Sequence, residues 1–413
     1  MTRECIILAG GLGTRLGKIT KKTPKPLIKV KNKPFIFYII ENLYRQGIRK
    51  FYILTWYKSN FFLKSIPSKF RDAEIKVIKE KKKLGTAGCV INIINKLEKS
   101  FFVVNGDTFF DINIRDLQKK TNDNNSMIGI GLKYSSTHLG YKSYKVKNNL
   151  VTKYYKSKNK IKLVCGGIYF FKKRVLSKMK KKNMDIDNDI LSPYLEKKKK
   201  ITGIIYKNDF IDIGTKFFLN KAKKFIEKKI FRPSAFFDRD GVINYDYKYV
   251  HTKRKFVWKK NIFKAIKLLN DKGFRVFIIT NQAGIAKGLY SEKDFKRLNS
   301  WMNQQFIKNG SFIDQVYYCA YHPDAIIKKY KKKTNLRKPG NGMIMNAFKD
   351  WKINKKNSFR SRMKNSCHQE GLEYSKINSY LVYSGLSKRL DQDTIIKNDI
   401  KITSPPRRHL RKF

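Results

Sequence analysis

Apolar residues in the first half of the chain fall in short runs, each closed by glycines or by a carboxylate. Ile6-Ile7-Leu8-Ala9 breaks into Gly10, Gly11 and Gly13, and Thr14 and Arg15 follow. This predicts a buried strand whose loop turns backbone N–H groups toward an anion, although such a loop alone is also an ordinary glycine turn. Pro34 to Leu43 has helical spacing closed by Gly47, and Phe51-Tyr52-Ile53-Leu54-Thr55 reads as the next strand. Strand, helix, strand predicts a parallel sheet wrapped by helices, with ligands at the carboxyl ends of its strands. Leu84-Gly85-Thr86-Ala87-Gly88 predicts a small-residue turn before a helix from Cys89 to Leu97, with room for a flat base or ribose on the backbone. Two more apolar strands end on carboxylates, Phe101 to Asp107 and Phe210 to Asp212. Hard oxygen ligands at strand tips suit magnesium held with phosphates, while an aspartate there also commonly caps a turn.

A helix is expected over Phe217 to Ile230, and Arg232-Pro233 marks a boundary. A new strand then runs into Asp238-Arg239-Asp240-Gly241, two carboxylates that point the same way, one able to attack phosphorus and the other to move a proton. The strand Val276 to Ile279 ends on Thr280 and Asn281, a hydroxyl and an amide suited to phosphoryl oxygens. Phe295, Leu298, Trp301, Met302 and Phe306 mark an amphipathic helix, and Arg337-Lys338-Pro339 places two cations before a helix over Met343 to Trp351.

With 413 residues, 41% of them hydrophobic, the chain is long enough for two domains with separate cores. The net charge of +62 suggests a nucleic-acid binder, but the lysines run along the whole length with Ile, Asn, Phe and Tyr, as compositional drift on solvated faces would spread them. No recognition module accompanies them, so no specific nucleic acid is expected; selective DNA binding across a salt series would favour that rival. Five widely spaced cysteines without a Cys-x-x-Cys pair suit reduced cytosol. Thr2-Arg3-Glu4 runs straight into the first strand, no apolar run reaches the length of a membrane span, and a cytoplasmic protein is expected. Oligomeric state is not legible.

Leu8-Ala9-Gly10-Gly11-x-Gly13-Thr14-Arg15-Leu16 with Lys25-Pro26 downstream resembles the signature of the sugar-phosphate nucleotidyltransferases, which join a nucleoside triphosphate to a sugar 1-phosphate. The resemblance implies that Arg15 and Lys25 meet the phosphates. It also implies that Leu8, Ala9, Gly10, Gly11, Gly13 and Thr14, with Gly85, Thr86 and Gly88, hold the nucleotide and that Asp107 and Asp212 hold Mg2+. It departs on the sugar side. The usual Glu-Lys pair after Val151-Thr152-Lys153-Tyr154-Tyr155 reads Lys156-Ser157-Lys158, and the usual Asn-Gly-Gly reads Cys165-Gly166-Gly167.

Asp-x-Asp, strand-Thr and Lys-Pro in that order resemble motifs one to three of the haloacid dehalogenase-like phosphatases, and the longer strings resemble the heptose 1,7-bisphosphate phosphatases, with histidinol phosphatases as near relatives. The resemblance implies an aspartyl-phosphate on Asp238, acid/base work by Asp240, phosphoryl clamps at Thr280 and Lys338, substrate contacts at Asn281 and Arg337, and Mg2+ at Asp238 and Asp240. Many members of that branch carry a four-ligand zinc site. Here Cys319-Ala320-Tyr321 and Thr334-Asn335-Leu336 leave one ligand, with His322 adjacent, and no zinc is expected. The fourth motif, a strand ending in Gly-Asp, should follow Phe359, but the chain reads Arg360-Ser361-Arg362-Met363-Lys364, and the nearest downstream acids are Glu370 and Glu373. A frameshift and true divergence would both account for it, and weak or absent phosphatase activity is expected.

The fold expected is α/β with two doubly wound domains: a nucleotidyltransferase over 1–230, a phosphatase domain over 231–385, and a basic tail over 386–413. Together they imply a bifunctional enzyme of nucleotide-sugar biosynthesis, using GTP and a heptose phosphate. A mannose or glucose 1-phosphate transferase with a histidinol-phosphatase-like or inactive second domain is the alternative.

Overall fold

The computed structural model describes residues 2–136, 143–363, 378–382 and 401–402, with side chains as far as Arg360. The chain forms two compact units, Met1–Glu227 and Lys228–Phe413. Glu370, Glu373 and most of the tail from 386 lie outside the described residues.

The first unit is built on a ten-stranded sheet. Across it the strands run Ser143–Lys147, Leu150–Tyr155, Ile201–Ile205, Ile128–Ser135, Lys162–Lys172, Ser100–Asn105, Glu4–Leu8, Lys50–Thr55, Ala73–Lys79, Lys69–Phe70. Four consecutive strands, from Ser100–Asn105 to Ala73–Lys79, are parallel. Leu8 pairs with Asn105 on one side and Leu54 on the other, and Leu54 pairs with Ile78, so four strands end at one level. The remaining pairs are antiparallel except that Ile201–Ile205 runs parallel to Ile128–Ser135, so the sheet is mixed. On one face Ile6, Val103 and Leu54 pack with Ala87, Val90 and Ile91 in a continuous core.

The helix expected from Cys89 starts earlier. It spans Gly85–Asn92, with a short 3-10 turn at Ile94–Lys96. Its small residues are explained by the chain's own backbone. Gly85 has φ +72°, and a Cβ there would lie 2.4 Å from the Met184 carbonyl; at Gly88 it would lie 2.1 Å from that of Lys182. The Ala87 and Gly88 N–H groups donate to that Met184 carbonyl at 2.9 and 3.2 Å.

In the second unit six parallel strands lie in the order Gln315–Cys319, Arg275–Asn281, Ser234–Phe237, Phe359–Met363, Asn378–Val382, Lys401–Ile402. Adjacent residues of a strand face opposite ways, so Phe237 joins one core with Ile266, Leu298 and Met302, while Phe236 joins another with Met343, Ile344 and Ala347. Helices Ile262–Asp271 and Glu292–Lys308 supply the first layer and Gly342–Asp350 the second, a doubly wound arrangement.

Candidate functional sites

In the first unit the glycine loop closes one end of a cavity of about 200 Å³ lined by Leu8, Ala9, Gly11, Gly13, Thr14, Arg15, Lys25, Asp107 and Gly214. Gly10 turns the other way: a Cβ there would lie 3.2 Å from the Trp56 backbone nitrogen and 3.7 Å from Glu80 Oε1. Lys25 sits in a short 3-10 turn, Lys25–Leu27, and is buried. Its Nζ donates to Asp107 Oδ2 at 2.6 Å and to Asp212 Oδ1 at 3.0 Å. Burial opposes the ammonium charge, but the two carboxylates outweigh it and raise the Lys25 pKa. A Cβ on Gly214 would lie 3.0 Å from Lys25 Nζ and 3.2 Å from Arg15 Nη2, so the tight turn after Asp212 leaves room where the cations converge.

Lys25, expected among the phosphates, thus bridges the two aspartates instead. Its ammonium shows that both carboxylates can serve one cation. Two carboxylates are the protein contribution that Mg2+ commonly takes, with phosphates and water completing its shell. Among the described residues no three His, Cys, Asp or Glu side chains assemble as a metal cage. Thr86 lies apart from this cavity: its Oγ1 donates to Asp185 Oδ2 at 2.9 Å and accepts from the Ile186 N–H at 2.9 Å. With Gly85 and Gly88 packed on residues 182–184, this segment locks the helix to its neighbouring loop.

In the second unit Asp238 follows the strand Ser234–Phe237, and its Oδ2 accepts from Lys338 Nζ at 2.5 Å. Burial pushes Lys338 below the ordinary lysine range, with Asp238 opposing and Arg360 adding to the depression. Asp240 accepts from Arg239, from Asn244 Nδ2 at 3.0 Å and from Gln282 Nε2 at 3.2 Å. Gln282 also donates to Thr280 Oγ1 at 2.7 Å. The Asn281 amide donates to the Lys338 carbonyl at 3.1 Å and accepts from the Lys338 N–H at 3.0 Å, so it holds the lysine loop. Arg337 is half-buried beside His322 and Cys319. Thr334, Asn335 and Leu336 form a turn in which Asn335 exchanges hydrogen bonds with Asn341.

The residue that takes the expected fourth-motif strand is a cation. Arg360 is buried and pairs in register with Phe236, two residues before Asp238. The donor set here is two carboxylates, paired with Lys338 and Arg239, and the buried Arg360 lies on the strand where the resemblance places a third carboxylate.

A family model for nucleotidyl transferases matches residues 4–229. A second, for polynucleotide kinase 3 phosphatases, matches residues 234–365. A D-glycero-beta-D-manno-heptose-1,7-bisphosphate 7-phosphatase from Rhodopseudomonas palustris is 44% identical over 128 residues, 31% of this chain and 71% of that protein. The chain belongs to the nucleotidyl transferase family in its first unit and to the phosphatase family of these relatives in its second. A D-glycero-alpha-D-manno-heptose-1,7-bisphosphate 7-phosphatase from Photorhabdus laumondii is 37% identical over 151 residues, 37% of this chain and 82% of that protein. The crystal structure of HddC from Yersinia pseudotuberculosis is 25% identical, spanning 55% of this chain and all of that one at a TM-score of 0.49.

Sequence reasoning missed Arg239, Asn244, Gln282 and Glu80. The first three follow Asp238 or Thr280 within a few residues, and only folding turns them onto Asp240. Glu80 is followed by three lysines and reads as a solvated charge run, yet it is buried at a strand end.

Proposed function

We propose that the first unit transfers a nucleotidyl group from GTP to D-glycero-D-manno-heptose 1-phosphate. The second unit is the companion for heptose 1,7-bisphosphate, and its hydrolysis is weakened by the loss of the fourth motif. The single observation behind the transferase reading is the convergence of Arg15, Lys25, Asp107 and Asp212 at the glycine-loop cavity. The heptose reading rests on the names of the phosphatase relatives, since neighbouring steps of one route suit one chain. Those names include both anomers, so either heptose 1-phosphate is a candidate substrate.

In this reading a sugar-phosphate oxygen attacks the α-phosphorus in line, and pyrophosphate leaves. The glycine loop presents its N–H groups to the phosphates. Arg15, and Lys25 once phosphates draw it from the aspartates, offset charge on the departing pyrophosphate. Asp107 and Asp212 are the residues that would hold Mg2+, whose contribution is to neutralise phosphate charge. In the second unit Asp238 is the nucleophile, Asp240 the acid and base, and Thr280 and Lys338 the phosphoryl contacts, with Asn281 and Arg337 shaping that loop. Both reactions suit the cytoplasm, and among the described residues no helix is long and apolar enough to cross a membrane.

The test is pyrophosphate release by the purified chain with each nucleoside triphosphate against a panel of sugar 1-phosphates. Turnover confined to GTP with a heptose 1-phosphate is expected. Release with mannose or glucose 1-phosphate alone overturns the heptose assignment, and none with any pair overturns the transferase reading.

A further inference from the structure

Arg360 is a buried cation in the second unit that the proposed reaction leaves without a role. Its strand pairs in parallel with Ser234–Phe237, placing Arg360 beside Phe236. Residues paired in this way share a face of the sheet. Phe236 packs under the helix Gly342–Asp350, and Lys338 lies in the loop before that helix. Asp238 continues the alternation to the same face two residues on, about 7 Å along the strand, a distance that a long arginine side chain covers. The two cations are close enough for Arg360 to disfavour the charge on Lys338.

Burying charge is costly unless it is balanced, and here the balance is positive. Among the described residues at this strand end, Asp238 and Asp240 bring two negative charges, whereas Lys338, Arg239 and Arg360 bring three positive ones. Exchanging Arg360 for a carboxylate with its Mg2+ would leave the same excess. A single guanidinium therefore supplies the charge that such a carboxylate and its metal supply together.

We propose that the second unit binds the dianion of a sugar phosphate monoester without a divalent cation, held between Arg360 and Lys338 with Thr280 as a further donor. A phosphate dianion between the two cations relieves their repulsion. Guanidinium is a planar fork that stays charged and can meet two phosphoryl oxygens at once. Thr280 Oγ1 accepts from Gln282 Nε2 at 2.7 Å, so its own proton is available to a phosphoryl oxygen. The inference rests on the reading of weakened hydrolysis in this unit and adds what the site does instead, which is to retain a sugar phosphate.

The experiment titrates the full chain with heptose 1,7-bisphosphate or inorganic phosphate, in EDTA or in millimolar Mg2+. Hydrogen exchange is followed by mass spectrometry in segments 236–244, 278–284 and 335–342, so that anions bound at the glycine loop of the first unit do not contribute. In EDTA the bisphosphate should slow exchange in all three segments at lower concentration than inorganic phosphate. Mg2+ should move the half-protection concentration by less than about threefold. Arg360→Gln should raise it in EDTA by about tenfold or more, the loss of one charge-assisted contact, and Arg360→Lys should raise it less. Protection only with Mg2+, binding of inorganic phosphate as tight as that of the bisphosphate, or an unchanged value in Arg360→Gln overturns the proposal. Should Arg360→Gln misfold by circular dichroism, the values for the unmodified chain with and without Mg2+ decide it alone. Robust phosphate release from the bisphosphate with Mg2+ would overturn the reading of weakened hydrolysis, while the titrations in EDTA still decide the role of Arg360.

Discussion

Lys25→Met removes the cation that two carboxylates share, and the consequence follows from the distances. Lys25 Nζ lies 2.6 Å from Asp107 Oδ2 and 3.0 Å from Asp212 Oδ1, so those oxygens are within about 6 Å of each other. At an effective dielectric of about 20 their repulsion without the lysine is about 3 kcal/mol. Asp107 is 31% exposed at its side chain, so solvent screening reduces this to about 1–3 kcal/mol. For a unit of this size that lowers the midpoint of thermal unfolding by about 3–10 °C in EDTA. Mg2+ should restore the loss in Lys25→Met and do much less for the unmodified chain, where it must displace a bound ammonium. The assay is thermal unfolding of both proteins with EDTA or millimolar Mg2+, without nucleotide, after circular dichroism confirms the fold. Equal midpoints in EDTA, or a variant indifferent to Mg2+, would refute the idea that Asp107 and Asp212 form one cation site.

Asp107→Asn and Asp212→Asn should each cut Mg2+-dependent pyrophosphate release by about a hundredfold or more, and near-normal turnover in either would remove that residue from the metal assignment. Phosphate release from heptose 1,7-bisphosphate with Mg2+ should be weak, because Arg360 stands on the strand that should end in a carboxylate, and should rise when residues 360–364 are replaced by a segment ending in Gly-Asp; robust release by the unmodified chain would mean that another acid takes the place. Gly88→Ala should destabilise the first unit by about 1–3 kcal/mol in denaturant unfolding, since its Cβ would sit 2.1 Å from the Lys182 carbonyl, and a neutral result would show that this loop yields easily. Glu80 has a folded-state pKa of about 7 against an ordinary 4.5, so it favours folding fully below about pH 4.5 and loses that contribution as pH rises through about 7, roughly 3 kcal/mol in all. Glu80→Gln should flatten that part of the stability curve, and an unaltered curve would mean that the carboxyl titrates normally.

The apolar runs of this chain determined much of its architecture because a strand buried on both faces must be hydrophobic throughout, and its end must break that pattern. Ile6–Leu8, Phe51–Thr55 and Val276–Thr280 were legible for that reason, as were the two families, whose motifs sit at those breaks. Helix starts were less legible. The segment Gly85–Gly88 reads as a turn because glycine is a poor helix former, yet it opens a helix because its small residues meet the carbonyls of Lys182 and Met184, a long-range contact invisible in a local window. The same limit applies to chemistry. Lys25 and Asp212 are far apart in sequence, and only the folded unit brings the ammonium between the two aspartates. Asn281 reads as a phosphate ligand from its place after Thr280, but its amide is engaged by the Lys338 backbone. Glu80 carried no signal among its lysines. Burial is a property of the assembled molecule, and it is burial that separates this carboxylate from the solvated charges around it.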